Sequence, residues 1–146
     1  MASLTMPAIL AVEDSIEDFE ALVRVLRRSG VSGPIARCVD GDDALDYLHR
    51  RGRYIDAGRP VVVLLDLNLP GTDGREVLEE VKADPELRRT PVIVLTTSSD
   101  ARDVEACYQA GANSYMVKPV DLEGFAESMT RMKRFWLDVA VLPGTG

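Results

Sequence analysis

The sequence predicts a doubly wound α/β fold, a five-stranded parallel sheet with helices on both faces, and three observations carry that prediction. Five short runs rich in Val and Ile are punctuated by Gly, Pro or Asp, as strands are. Segments with helical spacing of apolar residues separate them, the alternation that right-handed crossovers turn into a parallel sheet. The third run, Val61 to Leu65, is apolar throughout, whereas a strand with one wet face would alternate.

In chain order, AILAVE reads as the first strand, and Ile16, Phe19, Leu22, Val23 and Leu26 recur at helical spacing before the cations and glycine of RRSG stop the helix. PIARCV is the second strand and DGDDALDYLHRRG the second helix, expected to stop at Gly52. RRGRYIDAGRP reads as a surface excursion leading to the third strand, VVVLLD. DGREVLEEVKADP gives a third helix that ends before Pro85, and VIVLTT a fourth strand. DARDVEACYQAG is a fourth helix stopped by Gly111, SYMVK a fifth strand, and a last helix begins near Asp121. At 146 residues the chain is expected to be a single domain, 1–146, with a core over about 7–130 and an extended helix and tail over about 131–146.

Composition narrows the function. Hydrophobic residues make up 46% and charged residues 28%, and no apolar run approaches the roughly 20 residues that span a bilayer. The apolar stretch near the N-terminus is too short for a signal peptide, so a cytoplasmic location without membrane attachment is expected. Cys38 and Cys107 cannot build a disulfide framework and lie in no zinc-binding cluster, and both read as buried small hydrophobes. A net charge of −7 disfavours direct binding to nucleic acid, whose phosphates demand cations.

In open parallel sheets, ligands bind outside the carboxyl ends of the strands. There the sequence places Glu13, Asp14 and Ser15 after the first strand, Asp66, Leu67 and Asn68 after the third, Thr96 and Thr97 at the end of the fourth, and Lys118 and Pro119 after the fifth. Crowded carboxylates repel one another unless a cation joins them, and hard oxygen donors suit Mg²⁺. Lys118 can pair with a carboxylate or a phosphoryl oxygen, and the Thr96 hydroxyl can donate to the same oxygen. An aspartate can itself accept a phosphoryl group as an acyl phosphate. Taken singly, each residue has a plainer role: Asp14 and Ser15 as helix caps, Asp66 as a turn former, Thr96 and Thr97 as strand-end packing, Lys118 as a solvated lysine. Four coincidences at one sheet edge are a poorer account than one site.

These residues resemble the receiver domains of two-component response regulators, typified by the chemotaxis response regulator. ILAVEDS is similar to the family's first strand and acidic pair, LLDLNLPGTDG to its phosphoacceptor strand and loop, and PVIVLTTSS through AGANSYMVKP to its switch threonine, aromatic and lysine-proline end. Thr96 lies five residues after Pro91 and 22 before Lys118, which fits the family spacing better than Thr97 does. The resemblance implies strand order 2-1-3-4-5 and phosphorylation of Asp66 by a sensor histidine kinase. It implies Mg²⁺ held by the side chains of Asp14 and Asp66 and the backbone carbonyl of Asn68, with Glu13 acting through water where many members have Asp. It implies an aromatic switch at Tyr115, coupled to Thr96, and a cis Lys118–Pro119 bond. Phosphorylation then shifts the population of a surface formed by the fourth helix, fifth strand and fifth helix.

The last helix carries Leu122, Phe125, Met129, Met132, Trp136 and Val139 at spacings of 3 and 4, an apolar stripe of about 27 Å at 1.5 Å per residue. Its far end, RFWLDVAVLP, is expected to project past the domain and to pair through Phe135, Trp136 and Val139 with a second copy, together with the face around the fourth helix, fifth strand and fifth helix. This ending and the long excursion resemble the stand-alone response regulators paired with phytochrome-type kinases. Three other readings are set against this one. A phosphatase of the haloacid dehalogenase type also uses a strand-end aspartate, yet typically carries a second Asp where this chain has Asn68. A flavodoxin-like nucleotide binder would need a glycine-rich loop where EDSIED stands. An interaction-only receiver would have no need of the complete set of site residues.

Overall fold

The computed structural model describes residues 8–143. Five parallel strands, β1 (Ala8–Val12), β2 (Ile35–Cys38), β3 (Pro60–Leu65), β4 (Val92–Thr96) and β5 (Ser114–Val117), form one sheet in the order β2-β1-β3-β4-β5. Both the fold class and the strand order therefore match the expectation; position 7 and positions 144–146, the outer limits expected for core and tail, lie outside the described residues. Five helices connect and flank the strands: α1 (Ile16–Arg28), α2 (Gly41–His49), α3 (Gly74–Ala83), α4 (Ala101–Gln109) and α5 (Leu122–Lys133).

Period-two geometry divides each strand between two cores. On one face Leu10, Val12, Val63, Leu65, Val92 and Val94 pack against α2, α3 and α4 through Leu45, Leu48, Val77, Leu78, Val81 and Cys107. On the other, Ile9, Ala11, Val62, Leu64, Ile93 and Leu95 meet Leu22 and Leu26 of α1 and Met129 and Met132 of α5. The wholly apolar third run is explained by this: every residue of β3 is buried, alternate ones under different helices. Each helix opens on a side-chain cap, Ser15, Asp40, Asp73, Asp100 or Asp121, whose oxygen accepts an N–H from the first turn. These caps fall at the carboxyl ends of the strands, so they fix where the crossovers leave the sheet's functional edge.

Two local expectations are corrected. Helix α2 stops at His49 rather than running to Gly52, because Arg50 takes a left-handed conformation at φ 56° and closes the helix; Gly52 opens a single 3₁₀ turn to Tyr54 in the excursion. That turn is tied back to α2, since the Tyr54 hydroxyl donates to Asp43 at 2.7 Å and Arg53 donates to the same carboxylate at 2.9 Å.

The tail also departs from the expected projecting helix. Regular α-helix ends at Lys133, residues 134–139 wind into wider π-type turns, and Ala140 is extended. The widening keeps Trp136 and Leu137 against the α1–α5 core, and Leu142 returns to the same cluster. Trp136 is thus half-buried on its own domain instead of being offered to a partner, and its indole edge meets the Phe135 ring at 5.3 Å. Burying an indole against a core that is already there removes apolar surface from water without the cost of association. Phe135 and Val139 remain exposed. Among the described residues, no helix is long and apolar enough to cross a membrane.

Candidate functional site

The site is assembled at the carboxyl ends of β1, β3, β4 and β5. Glu13 and Asp14 follow β1 directly, and Arg37 of β2 holds their backbone by donating to the Glu13 carbonyl at 3.0 Å and the Asp14 carbonyl at 2.9 Å. Ser15 is the residue that caps α1, accepting from the Asp18 N–H at 3.2 Å. Asp14 is exposed, and one oxygen each of Glu13, Asp14 and Asp66 all lie within 4.8 Å of one another.

Glu13 and Lys118 are paired where water scarcely reaches. The Lys118 ammonium donates to Glu13 Oε1 at 2.5 Å and to Asp66 Oδ2 at 3.3 Å, and the Asp18 carboxylate lies 3.5 Å away. Side chains of Lys118, Glu13 and Asp66 are about one-tenth exposed. Burial pushes the Glu13 carboxyl above its ordinary range, more than Lys118 pulls it down. Burial works against the Lys118 charge as well, but its hydrogen bond to Glu13 and the charges of Asp66, Glu13 and Asp18 hold its pKa above the usual lysine value. Lys118 is therefore a fixed cation at neutral pH.

Lys118 is aimed by backbone pairing, since its N–H donates to the Thr96 carbonyl at 2.7 Å and so fastens the end of β5 to the end of β4. The following Lys118–Pro119 bond is trans, where a cis bond was expected; no peptide bond among the described residues is cis. The trans isomer is favoured by about 0.5–1 kcal/mol at X–Pro bonds, and from it the ammonium already reaches both carboxylates, so the pocket makes no demand for cis.

Thr96 is fully buried, and its hydroxyl is without a hydrogen-bond partner; Thr97 is exposed. An orphaned buried hydroxyl is uncommon and marks a place where a group is missing. Tyr115, on β5, is half-buried against the α2–α4 core with its hydroxyl donating to the Ser98 carbonyl at 2.9 Å. Asn68 is exposed, and its N–H donates to Asp66 Oδ1 at 3.2 Å.

Several contributors were not singled out from the sequence. Asp18 is one helical turn beyond the acidic pair, and Arg37 hides in an apolar run. Gly74 and Gly41 seat the loop after Asp66: a Cβ on Gly74 would sit 2.3 Å from the Asp66 carbonyl oxygen, and one on Gly41 would sit 2.0 Å from that of Thr72. Only glycine permits such approach. The available signal was that both glycines directly follow an Asp ahead of a helical pattern.

Three carboxylates converge against one ammonium and leave excess negative charge, and their oxygen donors are those a hard divalent cation takes. The donor set fits such an ion. The unpartnered Thr96 hydroxyl and the charged Lys118 suit an added group rich in acceptor oxygens.

Comparison with known proteins accords with this geometry. Residues 9–130 match the model of the response regulator receiver domain. The chain is 42% identical over 135 residues to Response regulator Rcp1 of Synechocystis sp., covering 92% of each chain. The Mn(2+)-bound form of Rcp1 superposes with a TM-score of 0.91 at 40% identity, covering 95% of this chain and all of that one. The phosphorylated cyanobacterial phytochrome response regulator RcpA superposes equally well, at 0.91 and 40% identity over 94% of this chain and 99% of that one. With this agreement along the sheet, the acidic cluster and the lysine, the chain belongs to the response regulator receiver domain family, a family of signalling proteins.

Proposed function

We propose that Asp66 accepts a phosphoryl group from a sensor histidine kinase in a Mg²⁺-dependent reaction in the cytoplasm, and that acylation switches a protein-binding surface without direct contact to nucleic acid. The observation that carries this is the convergence of Glu13, Asp14 and Asp66 within 4.8 Å beside the Lys118 ammonium, 3.3 Å from Asp66. In the transfer an Asp66 carboxylate oxygen forms a bond to phosphorus while the bond from phosphorus to the donor nitrogen breaks, and the released imidazole takes a proton from solvent. Asp14, Asp66 and the Asn68 carbonyl would hold the cation directly and Glu13 through water; when bound, it neutralises charge on the transferring group. Lys118 supplies the protein's own positive charge. Thr96 then donates its hydroxyl to a phosphoryl oxygen, and Tyr115 follows the loop that moves with it.

The relatives narrow the donor. RcpA is a phytochrome response regulator, and a response regulator of red light signalling in R. palustris superposes with a TM-score of 0.89. A phytochrome-type histidine kinase is accordingly the proposed partner. Phe135 and Val139, with Tyr108 and Val117 on the α4–β5–α5 face, are exposed apolar groups suited to pairing with a second copy.

Intact mass after incubation with acetyl phosphate and Mg²⁺ tests the central claim. One phosphoryl adduct is expected, lost with EDTA and absent from Asp66→Asn. An adduct that persists in the variant would refute the assignment of Asp66.

A further inference from the structure

A chain of contacts outside the acidic pocket joins it to α4. Gly74 donates its N–H to the Leu67 carbonyl and packs against the Asp66 carbonyl, so the start of α3 is fixed relative to the acceptor residue. The next residue, Arg75, donates to Asp103 Oδ1 on α4 at 2.7 Å. The other oxygen of Asp103 accepts from the Ser98 hydroxyl at 2.6 Å, and the Ser98 carbonyl accepts from Tyr115 at 2.9 Å. Ser98 lies two residues beyond Thr96, so the loop that carries the unpartnered hydroxyl is gripped through both its side chain and its backbone. The contacts close a ring from Asp66 through α3, α4 and the loop back to Thr96.

We propose that Arg75 and Asp103 are positioning residues, a latch that sets the resting place of the β4–α4 loop and transmits its movement to α4. This rests on the reading of Asp66 as phosphoacceptor. Arg75 and Asp103 side chains are 40% and 25% exposed, and ion pairs so placed add little to global stability. What the pair supplies is geometry, because Asp103 cannot hold Ser98 in register once its own position is free. Any displacement of Thr96 toward a group on Asp66 pulls Ser98, and the latch passes that pull to α4 as a rigid unit.

The test uses Arg75→Ala and Asp103→Asn in the full chain, each with and without acetyl phosphate and Mg²⁺. The adduct is followed by intact mass and amide hydrogen exchange is resolved over 98–109. Both variants should form the adduct and melt close to the wild type. Their unphosphorylated exchange over 98–109 should be about fivefold faster, the scale expected for losing one such pair in local opening. The change on phosphorylation should fall to less than about half of the wild-type change. If either variant acquires the adduct and responds with wild-type amplitude, the latch is refuted while the phosphoacceptor reading stands. If the wild type itself acquires no adduct on Asp66, that reading fails and the latch with it.

Discussion

Replacing Thr96 with Val should make the protein more stable and a poorer switch. The side chain is fully buried at the end of β4, and its hydroxyl has no partner. Leaving a buried polar group unsatisfied costs about 1–3 kcal/mol, and Val replaces the hydroxyl by a methyl of nearly the same shape, so no cavity opens. Taking the lower part of that range, Thr96→Val should gain about 1–2 kcal/mol, which for a chain of this size raises Tm by about 2–6 °C. In urea the midpoint should rise by about half to one molar with an unchanged slope. Thermal melts and urea titrations without phosphodonor or divalent cation give the value directly. The variant should still acquire the phosphoryl adduct, because Thr96 does not touch the donor carboxylates at rest, but its exchange response over α4 should be largely lost. A Tm equal to or below that of the wild type would refute the reasoning, since it would mean that the hydroxyl is satisfied at rest and stores nothing for the switch.

Gly74→Ala should cost about 2 kcal/mol or more and slow adduct formation, because its methyl would be driven against the Asp66 carbonyl 2.3 Å away; equal melting of variant and wild type would contradict that contact. Lys118→Met should lose about 3–5 kcal/mol through leaving Glu13 and Asp66, each about one-tenth exposed, without a cation. The loss should be partly recovered by millimolar Mg²⁺, so the rise in Tm on adding Mg²⁺ should be larger in the variant than in the wild type. Burial pushes the Cys38 thiol up to about 12. At pH 8 it is almost wholly protonated and inert in the folded protein, so its alkylation, followed by mass, should track unfolding in urea rather than reagent concentration.

How much was legible depends on the range of the interaction. Strands and helices announce themselves through period and caps, and Asp66, Lys118 and the acidic pair through their place after apolar runs, all local signals. Strand order came from the family resemblance, and burial of both faces of β3 from the absence of alternation. Arg37, Asp18 and Asp103 were not legible, because what they do depends on which strand or helix lies alongside. Gly41 and Gly74 read as ordinary helix starts until the loop carbonyls they press against are seen. The tail was misread for a physical reason: a stripe at spacings of 3 and 4 reports an apolar face without saying where α-helical winding ends. Once the chain widens after Lys133, the same residues divide, Trp136 inward and Phe135 and Val139 outward.

The resting electrostatics also bound what the hydroxyl can do by itself. Lys118 is satisfied at rest by Glu13 and Asp66, so drawing it toward a phosphoryl group exchanges one set of acceptors for another. Thr96 starts with none, and the exchange is all gain on its side. That gain, about 1–3 kcal/mol, shifts a two-state population by about 5- to 150-fold, whereas full reversal from 1:99 to 99:1 needs about 5.5 kcal/mol. The shortfall has to come from elsewhere on the path of movement. The groups placed to supply it are those that grip the β4–α4 loop, Tyr115 through the Ser98 carbonyl and Asp103 through the Ser98 hydroxyl. A switch driven by the hydroxyl alone would leave a sizeable unswitched fraction at full phosphorylation; one that also rearranges these contacts can move nearly the whole population.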